Sequence, residues 1–276
     1  MKVFVLVSYT FGELVSKATI IVLAGISTLI ILGTALAFSS SETDEGVTLL
    51  MFGQKVSPPL PLEEVHGFVG GVQVGLSKGM FAGIILFGIF ATAGLIPETL
   101  QRGTADLYLS KPIARWELLL GRSVGAVVVM LANILYFIGM LWFVFGIKTG
   151  VWNLQFLLAG LTLTFAFACL FSIVALLGVL FRNAAIPIIG SFLYLVIVGG
   201  ILHQREQTLY LISENGIYRA ILDGLYYLFP QISGMQDEIA KQILQQSIDW
   251  KPFLQSFLSA SLMFMGGAAV LGRRDF

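Results

Sequence analysis

The sequence predicts an all-α polytopic membrane protein with six transmembrane helices, and three observations predict it. Only 12% of the 276 residues are charged while 57% are hydrophobic, and the mean hydropathy is +0.90; a soluble globular chain carries about 25% charged residues. Six runs free of Asp, Glu, Lys, Arg and His lie at 18–38, 79–96, 123–147, 154–181, 184–202 and 253–271. Each is close to the roughly 20 residues that a helix needs to cross a hydrocarbon core about 30 Å thick. Cations, finally, concentrate in alternate connections between the runs. In lipid the backbone must satisfy its hydrogen bonds within each segment, which selects helices, and the short alternating segments of a β-barrel are not seen.

The chain reads as one transmembrane domain over 1–276. Residues 1–16 precede the first run, and Val3, Leu6, Val7, Phe11, Leu14 and Val15 recur there at helical spacing around Lys2 and Glu13. That pattern suits a helix lying in the inner membrane interface. Ala35-Leu36-Ala37 has the small residues of a signal-peptide cleavage site. The apolar stretch before it, however, exceeds the roughly 7–15 residues of a signal core, so a retained span is expected.

Orientation follows from the cations, which favour the cytoplasmic side. Lys2 and Lys17 precede the first span; Arg102, Lys111, Arg115 and Arg122 follow the second; Arg182 follows the fourth; Arg273 and Arg274 close the chain. Segments 39–78 and 203–252 are longer and sparser in cations, the first holding Lys55 and Lys78 against Glu42, Asp44, Glu45, Glu63 and Glu64. Both termini are therefore expected in the cytoplasm and both long segments outside. The first, with Pro58, Pro59 and Pro61, reads as an extended, irregular excursion. In the second, 217–229 is apolar but too short to span and ends at Pro230, so it dips into the membrane or lies on it. Ile239, Ile243, Leu244 and Ile248 then stripe a polar helix over 236–248. The expectation is two short helices at the outer surface.

Few chemistries fit the residues. No GxxxxGK[ST] phosphate loop, CxxC or HExxH spacing occurs, and no nucleophile elbow or Ser/His/Asp chain pattern stands out. His66 and His203 stand alone in outer segments and read as solvated loop histidines, and the single cysteine, Cys169, reads as a small buried hydrophobe. Zero net charge offers no basic patch for nucleic acid. The six runs lack the ionisable residue at membrane depth that ion-coupled carriers use, so energy is expected from another molecule.

The densest polar feature is an elbow at 97–115. Glu98, Arg102 and Asp106 follow one another at i,i+4 and align along a short helix. Lys111 before Pro112 ends that helix, and Pro112 opens the next. On physics alone the elbow is also a solvated juxtamembrane turn whose Arg115 and Arg122 snorkel to lipid headgroups.

Glu98, Arg102-Gly103-Thr104, Asp106-Leu107, Leu109-Ser110-Lys111-Pro112, Arg115 and Leu119-Leu120-Gly121-Arg122 resemble the elbow of ABC-2-type transporter permeases, the membrane-spanning subunits of ATP-binding cassette transporters. Six spans, an N-terminal interface helix and short outer helices before the last span are also similar, with the nearest flavour in the permeases of nitrous-oxide reductase maturation. Gln101 stands where the family often has an acidic residue, and Arg122 where it has Lys.

The resemblance implies an ABC-2, type V exporter-like fold in the cell inner membrane. It implies that 98–110 is a coupling helix seated on a separate ATP-binding subunit, with Glu98, Arg102, Thr104, Asp106 and Arg115 as contacts. It further implies pairing with a second permease subunit as a homodimer, no cofactor in this chain, and ATP with Mg in the partner. Export of a substrate and transmission of motion to a periplasmic partner both remain open, as does a different class, a non-transporting scaffold or ion-coupled carrier.

Overall fold

The computed structural model describes residues 2–43, 46–55, 61–100 and 114–273. Helix α1 (Lys2–Val15) leads into α2 (Ala18–Ala37), and β1 (Phe38–Thr43) continues from it without a break. β1 pairs antiparallel with β2 (Gly46–Met51), which pairs with β3 (Gln54–Lys55). α3 (Leu62–Thr92) and the short α4 (Leu95–Thr99) precede the elbow. Beyond it come α5 (Arg115–Thr149), α6 (Leu154–Phe181) and α7 (Ala185–Tyr194), the last widening into a π-helical stretch, Leu195–Leu202. α8 (Gly216–Leu228), α9 (Ile232–Ile243) and α10 (Lys251–Arg273) complete the fold.

Six of these helical segments are long and apolar enough to cross a membrane: α2, α3 with α4, α5, α6, α7 with its π stretch, and α10. Each of the six overlaps one of the charge-free runs. α6 is the hub, with 72% of its apolar window buried, and it packs against α3, α4, α5, α7, α9 and α10. By contrast α2, α7 and α10 bury only 22–28% of theirs. Ile21, Leu29 and Leu36 on α2, and Leu254, Leu258 and Leu262 on α10, are exposed. Such faces are stable only against lipid or another protein.

Polar contacts sort the ends of the spans into two faces. On one face lie the α1–α2 junction, α4, the start of α5 and the end of α10. On the other, Asn153 caps α6 by accepting from the Gln155 amide at 3.1 Å. The same side chain donates to Gln73 Oε1 at 2.8 Å and to the Ile243 carbonyl at 2.9 Å, joining α3, α6 and α9. This is the alternation expected of six antiparallel crossings.

The segment 39–78 departs from the irregular loop expected of it. Its first part is the small sheet, closed between β2 and β3 by Phe52 (φ 53°) and Gly53 (φ 77°), the paired positive φ values of a tight type I′ hairpin turn. The turn between β1 and β2, and Pro58 and Pro59, lie outside the described residues. Its last part is helix: α3 begins at Leu62, not at Gly79, and runs about 46 Å at 1.5 Å per residue, beyond the ~30 Å core. Val65 and Val69 are fully buried there and β2 packs on the same helix. The projecting turns are held by packing that a search for uninterrupted apolar runs does not see.

α8 and α9 form a helical hairpin whose junction packs among the spans, while Ile217, Ile221 and Leu228 on α8 are exposed. The Tyr194 hydroxyl donates to the Pro230 carbonyl at the tip. The Gln231 amide donates to Ser256 Oγ at 2.7 Å, and Ser233 Oγ donates to the Gly199 carbonyl at 2.8 Å. Tyr194 and Ser256 lie one to two turns inside the nearer ends of their helical segments, so the tip sits roughly 7–12 Å in from those ends. The second helix runs from Ile232 to Ile243, four residues earlier than expected at its start and short of 248 at its end; Ile239 and Ile243 are buried, whereas Leu244 and Ile248 of the expected stripe lie beyond it.

Candidate functional site

α1 is clamped onto the protein rather than resting only in an interface. Its buried ridge of Leu6, Thr10 and Leu14 meets α5 where Gly121 and Gly125 sit one turn apart. A Cβ added at Gly121 would lie 2.6 Å from Leu6 Cβ, and one at Gly125 would lie 2.6 Å from Thr10 Cβ. This is the small-xxx-small approach that lets helices in lipid gain van der Waals contact. The opposite side of α1, with Phe4, Val5 and Tyr9, is exposed.

Above this clamp four charges alternate in sign across three elements. Glu98 Oε2 on α4 lies 3.1 Å from Lys17 Nζ at the α1–α2 junction. Lys17 Nζ lies 3.8 Å from Glu13 Oε1 one turn back on α1, and the other Glu13 oxygen pairs with Arg122 on α5. The Arg122 side chain is only 4% exposed, and its guanidinium also stacks 5.3 Å from the Tyr9 ring centroid. Burying a guanidinium this far requires such a partner. Arg122 is therefore not a residue that snorkels to headgroups; it is an internal ion-pair member.

Arg115 is also anchored. Its Nη1 donates to the Leu271 and Gly272 carbonyls at 3.2 Å each, satisfying orphan acceptors at the end of α10. The Ala114 amide donates to Glu117 Oε2 at 2.8 Å, which fixes the start of α5. Both flanks of the elbow are thus tied down: the leading flank through Glu98 to α1, and the trailing flank through Arg115 to α10. Arg102, Thr104 and Asp106 lie outside the described residues. Of the site residues expected from sequence, then, Glu98 and Arg115 are placed on the same face of the protein, at the two ends of the elbow.

Lys17, Glu13 and Arg122 are not among those expected contacts. The i,i+4 spacing of Glu13 and Lys17 signals one pair, but nothing in the linear order joins Glu13 to Arg122 more than a hundred residues away.

A second polar cluster holds the opposite face. Arg205, 5% exposed, donates through Nε to Asp223 Oδ1 at 2.6 Å and lies 4.0 Å above the Tyr226 ring. Hydrogen bonding from Tyr210, then the contact with Arg205, holds the Asp223 carboxyl below its ordinary range. His203 is not a solvated loop residue: Nδ1 lies 3.2 Å from the Tyr226 hydroxyl and Nε2 lies 3.1 Å from Asp237 Oδ2. His66 sits within α3. Cys169 is buried in α6, as expected. Among the described residues no group of three His, Cys, Asp or Glu side chains is placed to hold a metal ion.

These features define a polytopic α-helical membrane protein with a bundle of six candidate spans, a clamped N-terminal helix and a dipping hairpin between the last two. The chain belongs to the DUF2705 family, described as a protein of unknown function, which matches residues 60–227. No curated protein matches it.

Proposed function

We propose that the chain is the membrane-spanning subunit of an ABC-2-type ATP-binding cassette transporter, working as a homodimer in the cell inner membrane with both termini cytoplasmic. ATP and Mg are bound and hydrolysed in a separate ATPase subunit, and this chain has no catalytic role. The observation that carries this reading is the anchoring of the elbow. A segment that receives force from another molecule must be attached stiffly to what it moves, and the 101–113 segment emerges between Glu98, tied to Lys17, and Arg115, tied to the end of α10. The basic residues around it, with Arg182 and Arg273 at neighbouring span ends, favour a cytoplasmic position for this face by the positive-inside rule.

The test is co-purification with a separate Walker-A ATPase subunit. Arg102→Glu, or deletion of 98–110, abolishes the complex while leaving the protein inserted; an intact complex in both variants contradicts the reading.

The sheet, the projecting turns of α3 and the α8–α9 hairpin favour a neighbouring version, in which ATP-driven motion is delivered to a periplasmic partner without a substrate crossing. Crosslinking through the β2–β3 turn distinguishes the two, since only transmission requires a partner there. The most deeply buried cations, Arg122 and Arg205, are engaged with Glu13 and Asp223 in ion pairs, which gives the ion-coupled carrier no support. No contact favours a non-transporting scaffold.

A further inference from the structure

The register of the sheet sets the β2–β3 turn against the membrane. β1 continues α2 without a break, and β2 returns antiparallel so that Met51 lies opposite Phe38, the first residue beyond the helix. The next amide, that of Phe52, donates at 2.8 Å to the carbonyl of Ala37, the last residue of α2. The Phe52-Gly53 turn is therefore level with the end of a 20-residue apolar helix. Ser41, opposite Thr48, lies three residues further out, about 10 Å along the strands.

What occupies the turn suits neither the turn nor water. Both central residues have positive φ, Phe52 at 53° and Gly53 at 77°. Asn-Gly or Gly-Gly is the usual choice there, because a bulky side chain is strained at positive φ. Phe52 is nevertheless 77% exposed, so packing within the chain does little to offset either the strain or the wetted ring. Leu36, next to the residue that accepts the Phe52 amide, is 84% exposed, and Met51 is about half exposed. Leu29, Leu32 and Leu36 follow one another at i,i+3,i+7 on the exposed face of α2, so the turn prolongs an apolar face that already runs along the span. Strain of this kind persists where a function keeps it. An exposed aromatic residue at the level where a span ends is placed to sit at the boundary between headgroups and acyl chains.

We propose that the β2–β3 turn is a membrane anchor: the Phe52 ring, with Leu36 and Met51, enters the headgroup–acyl boundary of the leaflet at this end of α2 and holds the sheet down on the bilayer. The contact surface is apolar, so the occupant is the lipid surface irrespective of headgroup charge. Neither the transporter reading nor its test enters the argument, and a protein seated on this turn is the competing occupant.

The experiment reads depth at the turn. Leu36→Cys, Ser41→Cys and Phe52→Cys are made singly, labelled with a nitroxide and reconstituted as the full chain in phosphatidylcholine vesicles. The single native cysteine, Cys169, is buried, and the unsubstituted chain controls for its labelling. Relaxation of the nitroxide is then compared between molecular oxygen, which partitions into lipid, and a water-soluble nickel chelate. The label at 52 is expected to follow the label at 36, with oxygen dominant, and the chelate to reach the label at 41 severalfold more readily. In a second measurement Phe52→Asn, which suits the positive φ and keeps the turn, is combined with Gln54→Cys. Access of the chelate to the label at 54 is expected to rise severalfold over Gln54→Cys alone. A label at 52 as open to the chelate as the one at 41 overturns the proposal, and so does unchanged access at 54 when Phe52 is replaced. A label at 52 closed to both reagents and broadened by a second nitroxide also overturns it, and assigns the turn to another copy of this chain.

Discussion

Arg122, buried in the second turn of α5, is ion-paired with Glu13 on the amphipathic helix that precedes the first span. The pair joins a segment that sequence alone places in the membrane interface to the helix that follows the elbow. Because Arg122 is nearly inaccessible and Glu13 is about a quarter exposed, the two partners are not equivalent. Glu13→Ala strands the buried cation and is expected to destabilise by about 3 kcal/mol. Arg122→Met leaves a carboxylate that water and Lys17 still reach, and costs less. Thermal unfolding in detergent measures the order, and equal losses would show that the pair is not what holds Arg122.

The Gly121 and Gly125 contacts predict a separate failure. With Leu6 Cβ and Thr10 Cβ at 2.6 Å from any added Cβ, Gly121→Val with Gly125→Val forces α1 away from α5. Both substitutions keep the span apolar, so insertion is preserved. Lys17, held between Glu13 and Glu98, then becomes accessible, and limited trypsin digestion is expected to cut there faster than in the parent. An unchanged cleavage rate would mean that α1 is retained by something other than this close approach.

On the opposite face the prediction concerns pH. Asp223 has its carboxyl lowered by Tyr210 and Arg205. A depressed carboxylate contributes stability that is present above its ordinary value of 3.8 and is lost as pH falls through the lowered one. The hairpin is therefore expected to loosen on strong acidification. Asp223→Asn flattens that acid limb and lowers stability at neutral pH, because Arg205 remains buried without its partner. Hydrogen exchange of α8 at pH 7 and pH 3 reads both effects; an acid limb unchanged in Asp223→Asn would remove Asp223 as its source.

What is legible in the sequence follows the physics of lipid. A charge-free run is forced to be helical, so 154–181 reappears without a residue's shift as α6. The first half of α3 is illegible because Gln73 and Lys78 interrupt the run, and the helix there is held by β2 and by the Asn153 knot. Ser39, Ser40 and Ser41 carry no strand signal, yet pairing with Leu50, Leu49 and Thr48 makes them β1. The elbow is read only from its i,i+4 charges, of which Arg102 and Asp106 lie outside the described residues, and the anchors of its flanks are hidden: the acceptors of Arg115 are backbone carbonyls, and the partner of Arg122 lies on another helix.

The Lys17–Glu98 contact offers the sharpest test of how the elbow is coupled to the bundle. Exposed pairs contribute about 0–1 kcal/mol, and Glu98 is half exposed, so stability should barely respond to its loss. Function should respond if force passes through it. Lys17→Glu places two like charges together at the elbow's leading flank and next to Glu13; on the transporter reading proposed above, it is expected to uncouple ATP hydrolysis in a partner from movement of the spans while the complex still assembles. The charge-reversed double variant, Lys17→Glu with Glu98→Lys, restores the contact with both signs exchanged. It is expected to recover much of the coupling, less what the reversed charge at position 17 loses by repulsion from Glu13. Stimulation of the proposed ATPase partner by the reconstituted chain is the readout. Full stimulation with Lys17→Glu alone would reduce this bridge to a surface ion pair and shift the transmission of force to Arg115 and the end of α10.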